Sequence, residues 1–487
     1  MAEQQSDKVM ASFAQLSKLI FNDIEKSTTK SSFMTKYTKE QIVKFLDDPR
    51  RYQKELRKLS NYLYNVSPNY KRVVLYFANL MRFDYIVEPF DINVKSFDRT
   101  KFEKQYMNTL KIVENMNLAH EIQKVFKTCF KEDIFYGYEH VTADAYFIQK
   151  LNSDFCRISS IEDGVYNFEY DFSFFDNADN SIDKYATEFQ SKYRIYTSDK
   201  RNYRWQELSS ENTICIKVND EIEYPIPPLN AVFEALFDID ETKRMNSIKT
   251  KMDNYMILTQ QIPIDDKKSE ANNFLIDLDT AIAFHNKATE SLPDEVGLIT
   301  SPMKIEAIKL ERRKTDVDEV AKAERAYYAA AGVSQLLFNG SSTTTTSLSK
   351  SVVTDEQISF ALLKQVERWI NRKLKYLNKS FKFRVKFLET TDFNYQEVSD
   401  RYLKAAQYGV PVIQELAASL GLSPSALINK TFLQNEILNL PTKLIPLSSS
   451  HTQSGDSNNM GGAPELSEDE LTDSGEQTRE NEGNVRE

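Results

Sequence analysis

The sequence predicts an α+β fold that is mainly helical, and three observations carry that prediction. Gly and Pro are scarce, at 12 and 14 in 487 residues, roughly half the usual share or less. Apolar residues recur at helical spacing along most of the chain. One region, beginning near Ile134, switches to strict alternation. A hydrophobic content of 41%, with 12% aromatic residues, suffices for a substantial core.

The first 130 residues read as helices. Thr38 to Gln41 has the form of a capping box ahead of an apolar-periodic stretch. Tyr52, Leu56, Leu59 and Leu63 form an amphipathic stripe, and Pro68 starts a new helix rather than interrupting one. A short strand at 84–88 and helices over 99–117 and 118–131 follow. Alternation of Tyr166, Phe168, Tyr170 and Phe172 with Asn167, Glu169 and Asp171 predicts a half-buried strand. With runs at 134–141, 144–150 and 154–161 it predicts an antiparallel meander, continued by strands near 203–208 and 213–218 and closed by Pro225, Pro227 and Pro228.

A long helix is expected from Leu229 to Gln260, ending before Pro263. Shorter elements follow: a helix over 275–289, strands near 296–300 and 303–309, and a helix over 316–331 with Asp316 and Asp318 at its start. Gly332 to Ser349 is rich in Ser and Thr and contains no charged residue. It also carries Val333, Leu336, Leu337 and Phe338, and such a stretch between two strong helices reads as a functional loop rather than an idle linker. Ile358, Leu362, Val366, Ile370, Leu374 and Leu377 then stripe a helix that, from Lys350, is roughly 43 Å long at 1.5 Å per residue. Phe381–Phe387 alternates apolar residues with Lys382, Arg384 and Lys386 as a strand, and helices over 394–407, 410–420 and 423–438 end the ordered part. From Pro441 the chain has almost no apolar residue, so a disordered acidic tail is expected.

Charge and chemistry narrow the function. Of the net charge of −10, −8 lies between His451 and Glu487, leaving −2 on residues 1–450. A nearly neutral body lacks the many cations on which tight nucleic-acid affinity rests, though this does not exclude a protein that surrounds DNA without gripping it. Cys129, Cys156 and Cys215 are far apart in sequence and form no CxxC pair, which fits a reduced compartment. The N-terminus has no apolar signal core and no run of about 18 apolar residues occurs, so cytoplasmic folding and no membrane span are expected. P-loop, HExxH and GxSxG motifs are all missing, and His120, His140, His285 and His451 are isolated. The pairs Asp238/Asp240, Asp277/Asp279 and Asp316/Asp318 have a spacing that can hold a divalent ion, but helix N-terminal turns and solvated faces account for them better. No catalytic residue, metal site or cofactor is assigned. Lys309, Arg312, Arg313 and Lys314 read either as a solvated helix entry or as a phosphate contact, within a segment, 263–314, of ten acidic and eight basic residues.

The order of elements resembles the portal proteins of tailed bacteriophages, especially those of Gram-positive hosts. The likeness rests on Pro49-Arg-Arg-Tyr52 through Asn69-Tyr70-Lys71 to Phe77, on Phe147-Ile-Gln-Lys-Leu151 with Asp154-Phe-Cys-Arg-Ile158, and on Ala330-Ala-Gly-Val-Ser334 to Leu337 ahead of a polar loop and long helix. The acidic, Ser-rich end, with Ser448–Ser454 and Glu465–Glu470, is also of a familiar kind for that family.

The resemblance implies a wing over 1–228, stem helices at 229–262 and 313–331 flanking a clip at 263–312, and a tunnel loop at 332–349. A spine helix and returning wing strand at 350–391, a crown at 392–440 and the tail at 441–487 complete the subunit. It implies a homo-oligomeric ring, usually of twelve in the virion, at one capsid vertex, assembled in the host cytoplasm, with double-stranded DNA in transit. Its implied partners are the terminase large subunit, the major capsid and scaffolding proteins, and the head-tail connector. DNA would face Asn339, Ser341, Ser342, Thr343, Thr344, Thr345, Thr346 and Lys350, and the channel cations would be Lys309, Arg312, Arg313 and Lys314. Lys267, Lys268, Lys287 and Lys304 would contact the terminase or connector. One departure is that the loop is uncharged, with Lys350 only at its edge, so its hydroxyls suit a passive, low-friction constriction. Two other readings stay open: a minor capsid or baseplate scaffold, and a metal-dependent enzyme acting on nucleic acid through an Asp-x-Asp pair.

Overall fold

The computed structural model describes residues 36–443, apart from 93–94, 96, 143–144, 178, 221–223, 255, 264–274, 292–295, 302–318, 334–344 and 378–379. It is a mixed α+β structure. Residues up to Leu427 form one compact unit, and a second begins at Ile428.

The opening helices form for the reasons visible in the sequence. In α1 (Lys39–Asp47) the Gln41 amide donates to Thr38 Oγ1 at 3.3 Å while the Thr38 amide donates to Gln41 Oε1 at 3.1 Å, so two otherwise orphaned donors are satisfied reciprocally. Helix α2 (Gln53–Val66) buries Leu56, Leu59 and Leu63, and α3 (Pro68–Asn79) has Pro68 at its start behind a Ser67 cap. After β1 (Tyr85–Pro89) come α4 (Arg99–Asn115) and α5 (Leu118–Glu132), which buries Ile122, Val125, Phe126, Cys129 and Phe130. Phe130 stacks on Phe77 of α3 at 5.1 Å between ring centroids.

The predicted single meander is two sheets. Strands β2 (Ile134–Val141) and β3 (Tyr146–Lys150) join β7 (Thr213–Lys217) in the antiparallel order β3-β2-β7. Strands β4 (Cys156–Glu162) and β5 (Val165–Asp171) join β6 (Trp205–Glu207) in the order β4-β5-β6. A helix that the alternation did not announce, α6 (Thr187–Ser198), sets Phe189 and Tyr196 into the core between them. That core is aromatic: Tyr136 meets Phe168 edge-on at 4.9 Å and Tyr138 meets Phe189 at 5.1 Å. At Gly137 a Cβ would lie 2.5 Å from a Phe135 ring carbon and 2.8 Å from Ile214 Cγ2, so only Gly fits there. The polar side of β5 is not solvated as expected. Asn167 and Asp171 are buried, the latter bound by Arg204 at 2.8 Å, which is how a sheet buries polar groups without leaving them unpaired.

The helix expected over 229–260 is shorter. Helix α7 spans Val232–Asn254, and Met256–Gln261 is instead a strand, β8. It pairs in parallel with β9 (Val296–Ser301), the two joined through α8 (Leu278–Ser291), so pairing with a distant strand overrides local helical periodicity. Helix α9 (Glu319–Ala330) precedes α10 (Thr345–Leu377), whose 33 residues start five positions before the expected Lys350. Strand β10 (Phe383–Phe387) pairs antiparallel with β1, with Phe383, Val385 and Phe387 buried and Arg384 and Lys386 exposed, as its alternation predicts. Helices α11 (Tyr395–Gln407), α12 (Ile413–Ser419) and α13 (Pro424–Phe432) follow, the last continued by a π-helical turn at Leu433–Ile437. No helix among the described residues is long and apolar enough to cross a membrane.

Candidate functional site

The functional geometry starts where α7 leaves the core. Its first turns bury Val232, Phe233, Leu236 and Ile239, with Phe233 against Tyr70 at 5.8 Å. From Glu241 to Ser247 the helix is exposed or half-buried, with Met245 exposed. Helix α9 packs beside it, tied by Lys243 to Glu324 at 3.2 Å, and returns to the core through Tyr327 and Tyr328. A helix pair, carrying the β8–α8–β9 unit between its members, is thus anchored at one end. The hydroxyl of Tyr327 is buried without a hydrogen-bond partner among the described residues. Tyr327→Phe is therefore expected to leave stability unchanged or raise it by up to about 1 kcal/mol, read as the denaturation midpoint. A loss instead would show that the hydroxyl has a partner.

Helix α9 stops at a fixed point. Gly332 has φ +71°, its amide donates to Ala329 O at 3.1 Å, and the Val333 amide donates to Tyr328 O at 3.2 Å. This is a Schellman stop, in which the left-handed residue is cheap only as glycine. Buried Val333 closes it. Eleven residues, 334–344, separate this stop from the first residue of α10.

Helix α10 is held by polar side chains that its apolar stripe did not reveal. Gln365 brackets the open edge of β7, donating to Lys217 O at 2.8 Å and accepting from the Lys217 amide at 3.1 Å, as a paired strand would. Trp369 Nε1 donates to Thr213 O at 3.0 Å. Arg372 donates to Asn167 Oδ1 at 2.9 Å and to Ser210 O at 3.0 Å, and Lys373 pairs with buried Glu139 at 2.5 Å. On the other side Asn371 exchanges two hydrogen bonds with the Val385 backbone of β10. Leu362, Val366, Ile370 and Leu374 are buried as predicted, but the ends of the stripe, Ile358 and Leu377, are exposed.

Near its N-terminal end α10 buries two consecutive carboxylates. Tyr76 OH donates to Asp355 Oδ2 at 2.9 Å and Thr391 Oγ1 to Glu356 Oε1 at 2.5 Å. Burial raises both above the ordinary carboxylate range, and neither has an ion-pair partner among the described residues. Nearby, Asp84 accepts from Thr390 at 2.8 Å and lies 3.2 Å from Arg82 Nε, whose guanidinium covers the Tyr395 ring at 4.5 Å. This joint links α3, α10 and the start of α11.

The sequence-predicted site residues divide as follows. Thr345 and Thr346 are in the first turn of α10, a correction to their assignment to a loop, because the helix extends back to Thr345, and Lys350, its expected start, lies within it. Asn339, Ser341, Ser342, Thr343 and Thr344 lie outside the described residues, as do Lys309, Arg312, Arg313, Lys314, Lys267, Lys268 and Lys304. Lys287 is on α8. The acidic tail beyond residue 443 and the predicted strand at 303–309 are also outside. Asp238 pairs with Lys39 at 2.6 Å, and His140 lies on the Phe147 ring at 4.5 Å while bonded to Gln149. Among the described residues no group of three His, Cys, Asp or Glu is arranged to hold a metal. Cys129, Cys156 and Cys215 are free and buried, and burial pushes each thiol well up, which keeps them poor nucleophiles.

No protein-family model matches the chain, and no curated protein matches it. Solved structures do. One is a chain from the virion of a native gene transfer agent particle, 13% identical, with a TM-score of 0.42 over 76% of this chain and 93% of that one. Another is from the neck of an empty gene transfer agent particle computed with C6 symmetry, 14% identical, with a TM-score of 0.41 over 76% of this chain and 94% of that one.

Proposed function

We propose that this chain is a phage portal protein, a non-enzymatic subunit of a closed ring that surrounds double-stranded DNA at one capsid vertex. The observation that carries the reading is the succession α7, β8–α8–β9, α9, an uncharged Ser/Thr-rich stretch and α10. A helix pair anchored at one end, exposed or half-buried over residues 241–247, is suited to line a channel with its neighbours in a ring. The unit between its members would form the clip that docks the terminase large subunit during packaging and the connector afterwards. Residues 334–344 start from the Gly332 stop and end on a helix bonded to strands β7 and β10, so both ends of a DNA-facing loop would be held firmly while its hydroxyls offer only weak contacts. Capsid and scaffolding proteins would meet the ring from outside, and twelve subunits is the number expected in the particle.

Native mass spectrometry of the full-length chain, with negative-stain images, tests this. A species of twelve or thirteen times 56.4 kDa with an axial hole is expected. Chains that stay monomeric even when mixed with capsid and scaffold proteins would overturn the ring and favour a minor capsid or baseplate component.

A further inference from the structure

Helix α2 and the turn between β3 and β4 enclose a cleft of about 480 Å³ whose charge is unlike that of the body as a whole. Lys54, Arg57, Lys58 and Lys150 line it against only two carboxylates, Glu132 and Asp154. Both carboxylates are already satisfied. Glu132 accepts from Lys150 at 2.5 Å, Asn61 at 3.0 Å and Ser153 at 3.0 Å; burial works to raise it, yet these partners bring it below the ordinary range. Asp154 takes Arg57 Nη2 at 2.5 Å.

The cations are not satisfied to the same degree. Arg57 is buried, and its Nη1 has no hydrogen-bond partner among the described residues. Lys54 and Lys58 are exposed, one turn apart on the face of α2 that also presents Asn61, and neither has an ion-pair partner among the described residues. At the margin Lys131 donates to Asn61 Oδ1 at 3.2 Å, and its pKa is lowered by burial and then by the neighbouring Lys150 and Lys127. Like charges gathered in this way repel one another until an anion enters.

We infer that this cleft is a sequence-independent contact for the phosphate backbone of double-stranded DNA. Its free cations are lysines, which meet phosphate as mobile point charges, whereas the one arginine, the residue whose fork best fits a carboxylate, is committed to Asp154. Phosphate contacts of this kind fix position without reading bases. The choice of double-stranded DNA as the phosphate source rests on the ring reading, but the test reads binding directly, so a failure to bind here leaves the outcome of the assembly test untouched.

The test is fluorescence anisotropy of a labelled duplex of about 30 base pairs with the full-length chain, across roughly 25–200 mM salt. Lys54→Glu/Lys58→Glu is compared with Lys101→Glu/Lys104→Glu, which makes the same charge change on α4. The cleft variant should bind about tenfold or more weakly at low salt. Its log–log salt slope should be shallower by about 2, one unit for each lost phosphate contact, while the α4 variant keeps the parent's values. Equal loss in both variants, or no loss in the cleft variant, overturns the inference. So does a labelled poly-glutamate peptide that binds the parent chain more tightly than the duplex does, because the cleft would then serve an acidic protein segment. Thermal melts of both variants separate lost contact from lost fold.

Discussion

Trp369→Ala is expected to remove about 3–5 kcal/mol of unfolding free energy, the largest loss at any one side chain of α10. Trp369 is among the largest fully buried residues, and its indole nitrogen holds the Thr213 carbonyl at the exposed edge of β7. Alanine both opens a cavity and orphans that carbonyl. Trp369→Phe keeps most of the volume and loses the donor, for about 1–3 kcal/mol. Urea unfolding followed by circular dichroism measures both. A cost below about 1 kcal/mol for the alanine variant would mean that α10 is not anchored on this sheet.

The second large effect depends on pH. Asp355 and Glu356 have folded pKa values raised by burial, so the folded state binds protons more tightly than the unfolded chain. Their contribution is therefore fully present at low pH, and it is lost as pH rises from the ordinary carboxylate range through the raised folded values. Asp355→Asn/Glu356→Gln keeps acceptors for Tyr76 and Thr391 but carries no charge to bury. The double variant should exceed the parent by about 1–3 kcal/mol at pH 8, with the gap narrowing at pH 5 and closing near pH 4. Denaturation midpoints across that range decide it, and parallel profiles for the two proteins would refute the account.

Elements whose signals are local were legible in the sequence. The Thr38 capping box, the Pro68 start and the alternation of β10 depend on residues a few positions apart, and each is found where its spacing puts it. What depends on distant partners was not legible. Met256–Gln261 continues a helical pattern on paper and becomes a strand because residues 296–301 supply a parallel partner. The division of the expected meander into two sheets follows from β6 and β7 inserting as separate edge strands. On α10 the apolar stripe identified the buried side, but Gln365, Arg372 and Asn371 read as solvated polar residues until strands from elsewhere in the chain present their backbone groups. Of the candidate site, the helices, the strand β9 and the uncharged stretch were readable, and β8 was not. The Schellman stop at Gly332 was not, although a glycine after Ala329-Ala330-Ala331 is the signal that could have marked it.

The seating of α10 also dictates when the protein can finish folding. Ser359 bonds to the backbone of Phe77, Arg384 to Glu88 and Thr390 to Asp84, across separations of 282, 296 and 306 residues. During synthesis at about 5–20 residues per second, the N-terminal helices and sheets wait tens of seconds for the segment that closes them. Until then the β7 edge and the pocket for Trp369 are open to other chains. A nascent chain is consequently expected to need chaperones for most of its time on the ribosome, and truncation anywhere before residue 390 should yield aggregate rather than a smaller folded domain.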